Sequence, residues 1–285
     1  MHETAPSTLL TDGRVYRDAF DTRPASALRI EGGRITWIGD RADAPRAARV
    51  VDLGGAVVLP GLTDAHIHLF TLSLARLQLD FAAHRPATVA EVLDLLRRED
   101  RAAGGDGWLQ ACGLNEATLR ERRLPTRAQL DDAFGSRPVL IRRYCGHVAV
   151  FNTAAMQILG LRDDEPDPAF GHFERSADGG LNGIAYEQAA EAIFRAAPAP
   201  PTHLLRQGIR YSIDECLALG LTALTEAAVG FSIGHDREAE IWAGLRDEAD
   251  LPVRMGFMAQ LTAREAAQRG RRPAFDRKWS EETLK

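Results

Sequence analysis

An α/β fold is predicted by three patterns in this 285-residue chain. From residue 202 onward, apolar spacing of helical period alternates with short β-branched runs. The order is helix, strand, helix, strand, helix, the rhythm of a (β/α) barrel. Ahead of it, residues 8 to 59 break into short strand-like pieces around glycine pairs. Between the two stands an apolar run, Val57 to Leu69, that reads as one buried strand and ends in two histidines one residue apart.

The elements follow in order. Strand pieces at Thr8 to Thr11, Ala27 to Ile30, Arg34 to Ile38, Val50 to Leu53 and Ala56 to Leu59 flank Gly32-Gly33 and Gly54-Gly55, and such glycine pairs signal tight hairpins. Helical spacing covers 88 to 103, 126 to 134 and 153 to 160, interleaved with strands at 107 to 112 and 138 to 151. Thr88 and Thr126 stand at N-cap positions and Gly160 at a C-cap. Thr202 opens a long helix with Leu205, Ile209, Cys216 and Leu217 along one side, stopping at Gly220. A strand at 221 to 226, a helix near 235 to 248, a strand at 252 to 259 and a short helix complete the chain.

Composition narrows the function classes. A hydrophobic share of 45% supports a large core, enough for one or two domains. A net charge of −5 without a clustered basic stretch argues against nucleic-acid binding, although 33 arginines accompany only 2 lysines. No run approaches the roughly 20 apolar residues of a membrane span, and the N-terminus lacks a basic-then-apolar leader pattern, so a cytoplasmic protein is expected. Cys112, Cys145 and Cys216 lack paired spacing and read as packed thiols.

Chemistry centres on His66 and His68. Strand side chains alternate, so Asp64, His66 and His68 share one face while Ala65, Ile67 and Leu69 share the other. Two adjacent imidazoles in a packed interior are costly unless bonded or coordinated, and neutral imidazole is a common ligand of zinc-like ions. Asp64 either accepts a hydrogen bond from a ligand histidine or is a structural carboxylate. His84, His172, His203 and His235 have no partner at ligand spacing and read as surface residues.

The segment Leu59-Pro60-Gly61-Leu62-Thr63-Asp64-Ala65-His66-Ile67-His68-Leu69 resembles the opening of the metal-dependent amidohydrolase superfamily. Gly107 to Gly113, Leu124 to Arg127, Arg137 to Val139, Gly146 to Asn152 and Gly183 to Glu187 are similar to the branch that includes N-substituted formamide deformylase. The resemblance covers the chain from about residue 8 onward.

It implies an amidohydrolase-type (β/α)8 barrel with 60 to 69, 221 to 226 and 252 to 259 as its first three strands. Residues 1 to 59 would be the N-terminal part of a composite β-sandwich, 60 to 80 the first strand and following helix, 81 to 201 an inserted α/β subdomain, and 202 to 285 strands two and three, ending before strand four. The chain then corresponds to the N-terminal half of something longer. The implied reaction is hydrolysis of a C–N bond by metal-activated water, with His66 and His68 as ligands to one or two divalent ions, zinc first among them.

Glu187, His147 and Asn115, the last with its neighbour Glu116, are possible substrate or site contacts. Each also has a structural reading, as a helix start, a satisfied histidine or a strand-end residue. The family's further ligands and catalytic aspartate would lie beyond Lys285, and a bridging lysine at or just after it. A small amide is the expected partner, together with a second copy of the chain or a complementing C-terminal half. A deaminase of the same fold, or a fragment inactive alone, are the alternatives.

Overall fold

The computed structural model describes residues 6–102, 104, 107–248, 251–259 and 279–281. They fall into two compact units, 1–62 and 63–285.

The first unit is one five-stranded sheet built from β1 (Thr8–Val15), β2 (Ala25–Glu31), β3 (Arg34–Gly39), β4 (Arg49–Asp52) and β5 (Val57–Val58). Its order is β3-β2-β1-β4, with β5 also on β1. Val15, Ala25 and Leu28 form its core.

Gly32-Gly33 closes the predicted hairpin between β2 and β3, with φ of 54° and 72°. Gly54-Gly55 does not make one, which corrects the sequence reading. β4 and β5 instead run one after the other, both parallel to β1. The cause is a bulge in β1, where Asp12 takes a φ of 58°. Leu53 N donates to Thr11 O at 2.8 Å, Gly55 N to Asp12 O at 2.6 Å, and Arg14 N to Ala56 O at 2.9 Å. The glycines therefore carry the chain around the bulge without reversing it.

The second unit opens with β6 (Leu62–Ile67) and α1 (Leu69–Ala75). The insert follows as β7 (Leu79–Asp80), α2 (Phe81–His84), α3 (Val89–Ala102), β8 (Leu109–Leu114), α4 (Arg127–Phe134), β9 (Val139–Arg143), β10 (Val148–Phe151), α5 (Thr153–Ile158), β11 (Gly171–Arg175), β12 (Leu181–Glu187) and α6 (Gln188–Ala196). Its sheet has the order β11-β12-β10-β9-β8-β7. β7, β8 and β9 are parallel, and the rest pair antiparallel.

Thr126 caps α4 in a reciprocal box with Gln129, as its position predicts. The expected single strand at 138 to 151 is two strands, because Tyr144 to His147 reverse the chain and Gly146 takes a φ of 82°. Insert sheet pairing also starts at Leu79, slightly ahead of the expected boundary at 81.

Then come α7 (Thr202–Ala218), β13 (Leu221–Val229), α8 (His235–Glu248), β14 (Arg254–Ala259) and β15 (Trp279–Glu281). The second sheet has the order β15-β14-β13-β6, with β13, β14 and β15 parallel. β15 is a fourth strand where three were expected. Phe70, Leu74, Leu205, Ile209, Trp242 and Leu245 belong to one core between this sheet and its helices. No described helix is long and apolar enough to cross a membrane. The short helix expected after residue 259, Lys278 and Lys285 lie outside the described residues.

Asn152 is fully buried and joins two elements of the insert. Its Oδ1 accepts from Val139 N at 2.9 Å and Ala155 N at 3.0 Å, and its Nδ2 donates to Arg137 O at 2.8 Å. Replacing it by alanine strands these backbone groups and uncaps α5. Asn152→Ala is therefore expected to lower the unfolding free energy by about 2–4 kcal/mol, read by urea denaturation; a loss below about 1 kcal/mol would contradict this role.

Candidate functional site

His66 and His68 stand together, as strand alternation requires. Their ring centres are 5.2 Å apart and nearly perpendicular. An ion about 2.0–2.1 Å from one ring nitrogen lies about 3.2 Å from that ring's centre, so two rings at a tetrahedral angle are about 5 Å apart. The spacing of the ring centres is that of two imidazoles on one divalent ion. Among the described residues no group of three or more histidine, cysteine, aspartate or glutamate side chains converges as a metal site.

The strand carrying them is not buried, which corrects the sequence reading. Its burial pattern leaves Ala65, His66 and His68 exposed, because among the described residues β6 is the edge of its sheet and is paired on one side. Asp64 bonds to the backbone of His66, not its ring: Asp64 Oδ1 accepts from His66 N at 3.0 Å.

His68 lines a cavity of about 390 Å³ whose other walls come largely from the insert. Partial burial lowers its pKa, and the neighbouring His66 and His147 add to the effect. Such a histidine is neutral at pH 7 and available as a ligand. Phe231 joins the two sides, with its ring centre 6.2 Å from His68 and 5.9 Å from His147.

His147 thus reaches the same cavity as His68. Its Nδ1 lies 3.1 Å from Glu187 Oε2, and the two residues also line a second cavity. Glu187 holds a left-handed φ of 53° immediately before α6, a conformation that non-glycine residues adopt at a cost of order 1 kcal/mol. Asn115 is placed elsewhere. Its Oδ1 accepts from Ala117 N at 3.0 Å, and it lines a neighbouring cavity. Glu116 is held by Arg143 through bonds of 2.7 and 2.6 Å. Of the four histidines read as surface residues, His235 differs, with a side chain only 10% exposed.

Two buried carboxylates that the sequence reading passed over support the site. Glu226 on β13 is 1% exposed and accepts from Phe70 N at 2.7 Å, fixing the start of α1 just after His68. Glu238 is fully buried and accepts from Gly230, Ser232 and Ile233 N at 2.7 to 2.8 Å, fixing the turn that carries Phe231. Their signal was an acid in phase with buried apolar residues: Leu224 and Glu226 share one face of β13. Arg142, in phase with Leu140 on β9, was missed in the same way. Cys112 also lines the cavity, and burial pushes its thiol up to about 12, so it is inert there.

The chain matches the amidohydrolase family over residues 49–283. It is 32% identical to YtcJ of Bacillus subtilis over 74% of this chain and 40% of that protein. It is 29% identical to N-substituted formamide deformylase of Arthrobacter pascens over 72% of this chain and 39% of that protein. The chain therefore spans about two fifths of the length of these curated relatives. A crystal structure of a metal-dependent hydrolase from Pyrococcus horikoshii shares the fold, with a TM-score of 0.63 and 22% identity over 89% of this chain and 48% of that one.

Burial raises the Glu226 carboxyl from 4.5 to about 7, partly opposed by its backbone N–H bonds. A raised folded value means that its stability contribution is complete below pH 4.5 and is lost as pH rises through about 7, a change of about 3 kcal/mol. Removing the titration should remove this loss. The unfolding free energy of Glu226→Gln, relative to wild type, is expected to rise by up to about 3 kcal/mol between pH 4.5 and 8 in metal-free protein; a pH-independent difference would refute it.

Proposed function

Because the chain belongs to the amidohydrolase family, we propose that it carries part of the metal centre and a substrate wall of a hydrolase that cleaves a non-peptide C–N bond. The carrying observation is the His66 and His68 pair, 5.2 Å between ring centres, beside a cavity of about 390 Å³. The succession β6, β13, β14, β15 across one sheet supports reading it as the opening arc of a (β/α)8 barrel.

A divalent ion held there supplies Lewis-acid activation of water and of the scissile carbonyl, and zinc suits imidazole donors. The protein's own residues do the rest of what can be assigned. His66 and His68 bind the ion in their neutral forms. Asp64 steadies the backbone between them through its bond to His66 N. His147, whose Nδ1 lies 3.1 Å from Glu187 Oε2, lines the cavity where its ring can meet a substrate. Glu226 and Glu238 keep the two sides of the cavity in place. The similarity to a protein named N-substituted formamide deformylase favours an amide as the bond attacked.

Elemental analysis of purified protein after zinc loading and desalting tests the reading. Wild type is expected to retain at least tenfold more metal than the variant carrying both His66→Ala and His68→Ala, with the circular dichroism spectrum unchanged. Equal retention by the double variant, or no retention by wild type, would overturn the assignment.

A further inference from the structure

The cavity beside His68 is lined by Arg142, a cation that the proposed reaction does not use and that no ion pair among the described residues holds. Arg142 is only 9% exposed, and its Nη1 is buried without a hydrogen-bond partner among the described residues. Two aromatic rings stand against the guanidinium, Phe194 at 3.6 Å and Phe231 at 5.8 Å. Ring faces hold a guanidinium by its plane and leave its N–H edge unsatisfied. The other charged residues lining the cavity are engaged. Arg143 is paired with Glu116, His147 with Glu187 and Glu191 with Arg195, while Asp80 accepts from Ala82 N. Glu238, which attracts Arg142 from further off, has both oxygens occupied by backbone N–H groups.

We propose that Arg142 receives a carboxylate of the substrate, so that the amide taken by this site is an N-acylated acid. This rests on the amide-hydrolase reading above and names its substrate class. A guanidinium edge matches a carboxylate with two parallel hydrogen bonds. A monoanion fits better than a phosphate, because one unpaired cation faces the cavity while the Asp80 and Glu191 carboxylates also line it. A volume of about 390 Å³ suits an acylated amino acid. Burial pulls the guanidinium down to about 10, which leaves it charged at pH 7.

The test uses the whole chain stripped of metal with EDTA, so a carboxylate cannot score by binding an ion at His66 and His68. The probes are N-acetylphenylalanine and its neutral carboxamide, titrated by calorimetry and NMR. The acid is expected to bind at least tenfold more tightly than the carboxamide, with intermolecular NOEs to the rings of Phe194 and Phe231. Arg142→Gln is expected to abolish the difference, and Arg142→Lys to retain part of it. Equal binding of the two probes, no binding of the acid, NOEs confined to other residues, or an unchanged preference in a folded Arg142→Gln would each overturn the proposal. Should Arg142→Gln lose its fold, the wild-type probe pair and its NOEs decide. The metal assay is independent, so failure of the metal assignment and failure of the carboxylate site are told apart.

Discussion

The site depends on two carboxylates buried where carboxylates are costly. Glu226 and Glu238 each exchange water for backbone N–H donors, Glu226 at the start of α1 and Glu238 at the turn after β13. The first fixes the residues immediately after His68. The second fixes Phe231, which touches His68, His147 and Arg142. A hydrophobic side chain in either place would satisfy the core but leave the loop ends without partners. The acids are therefore better understood as the framework that sets the distance between the strand before His68 and the insert.

That framework explains why one cavity draws on elements far apart in the chain. β6 brings the paired imidazoles, and β13 with its turn brings Glu226 and Phe231. The insert brings Arg142, Arg143 and His147 from β9 and the reversal after it. Period-two alternation sorts the two arginines: Arg142 faces Phe194 on α6, while Arg143 faces Glu116 on the other side.

Much of this was legible in the sequence where local rules suffice. The His66 and His68 pair, the box at Thr126 and Gln129, the long helix from Thr202 and the hairpin at Gly32-Gly33 each follow from a few neighbouring residues. What escaped depends on partners distant in sequence. Gly54-Gly55 reads as a hairpin until the bulge at Asp12 is known. β6 reads as buried until its place at the sheet edge is known. Glu226, Glu238 and Arg142 each read as an ordinary surface charge unless their phase against buried neighbours is followed, and the hydrogen bonds that justify their burial cannot be seen in the residues themselves.

The division of labour between strand and insert bears on how such a protein can diversify. His66 and His68 occupy a short stretch at the end of β6 and just after it, whereas most polar groups around the cavity belong to a separate sheet with its own hydrophobic cores. Exchange of residues on β9 or in the reversal at Tyr144 to His147 alters what the cavity accepts without disturbing the imidazole pair. The imidazole pair and the cavity's polar wall thereby sit on different pieces of one chain, and substitution can revise the second while leaving the first in place.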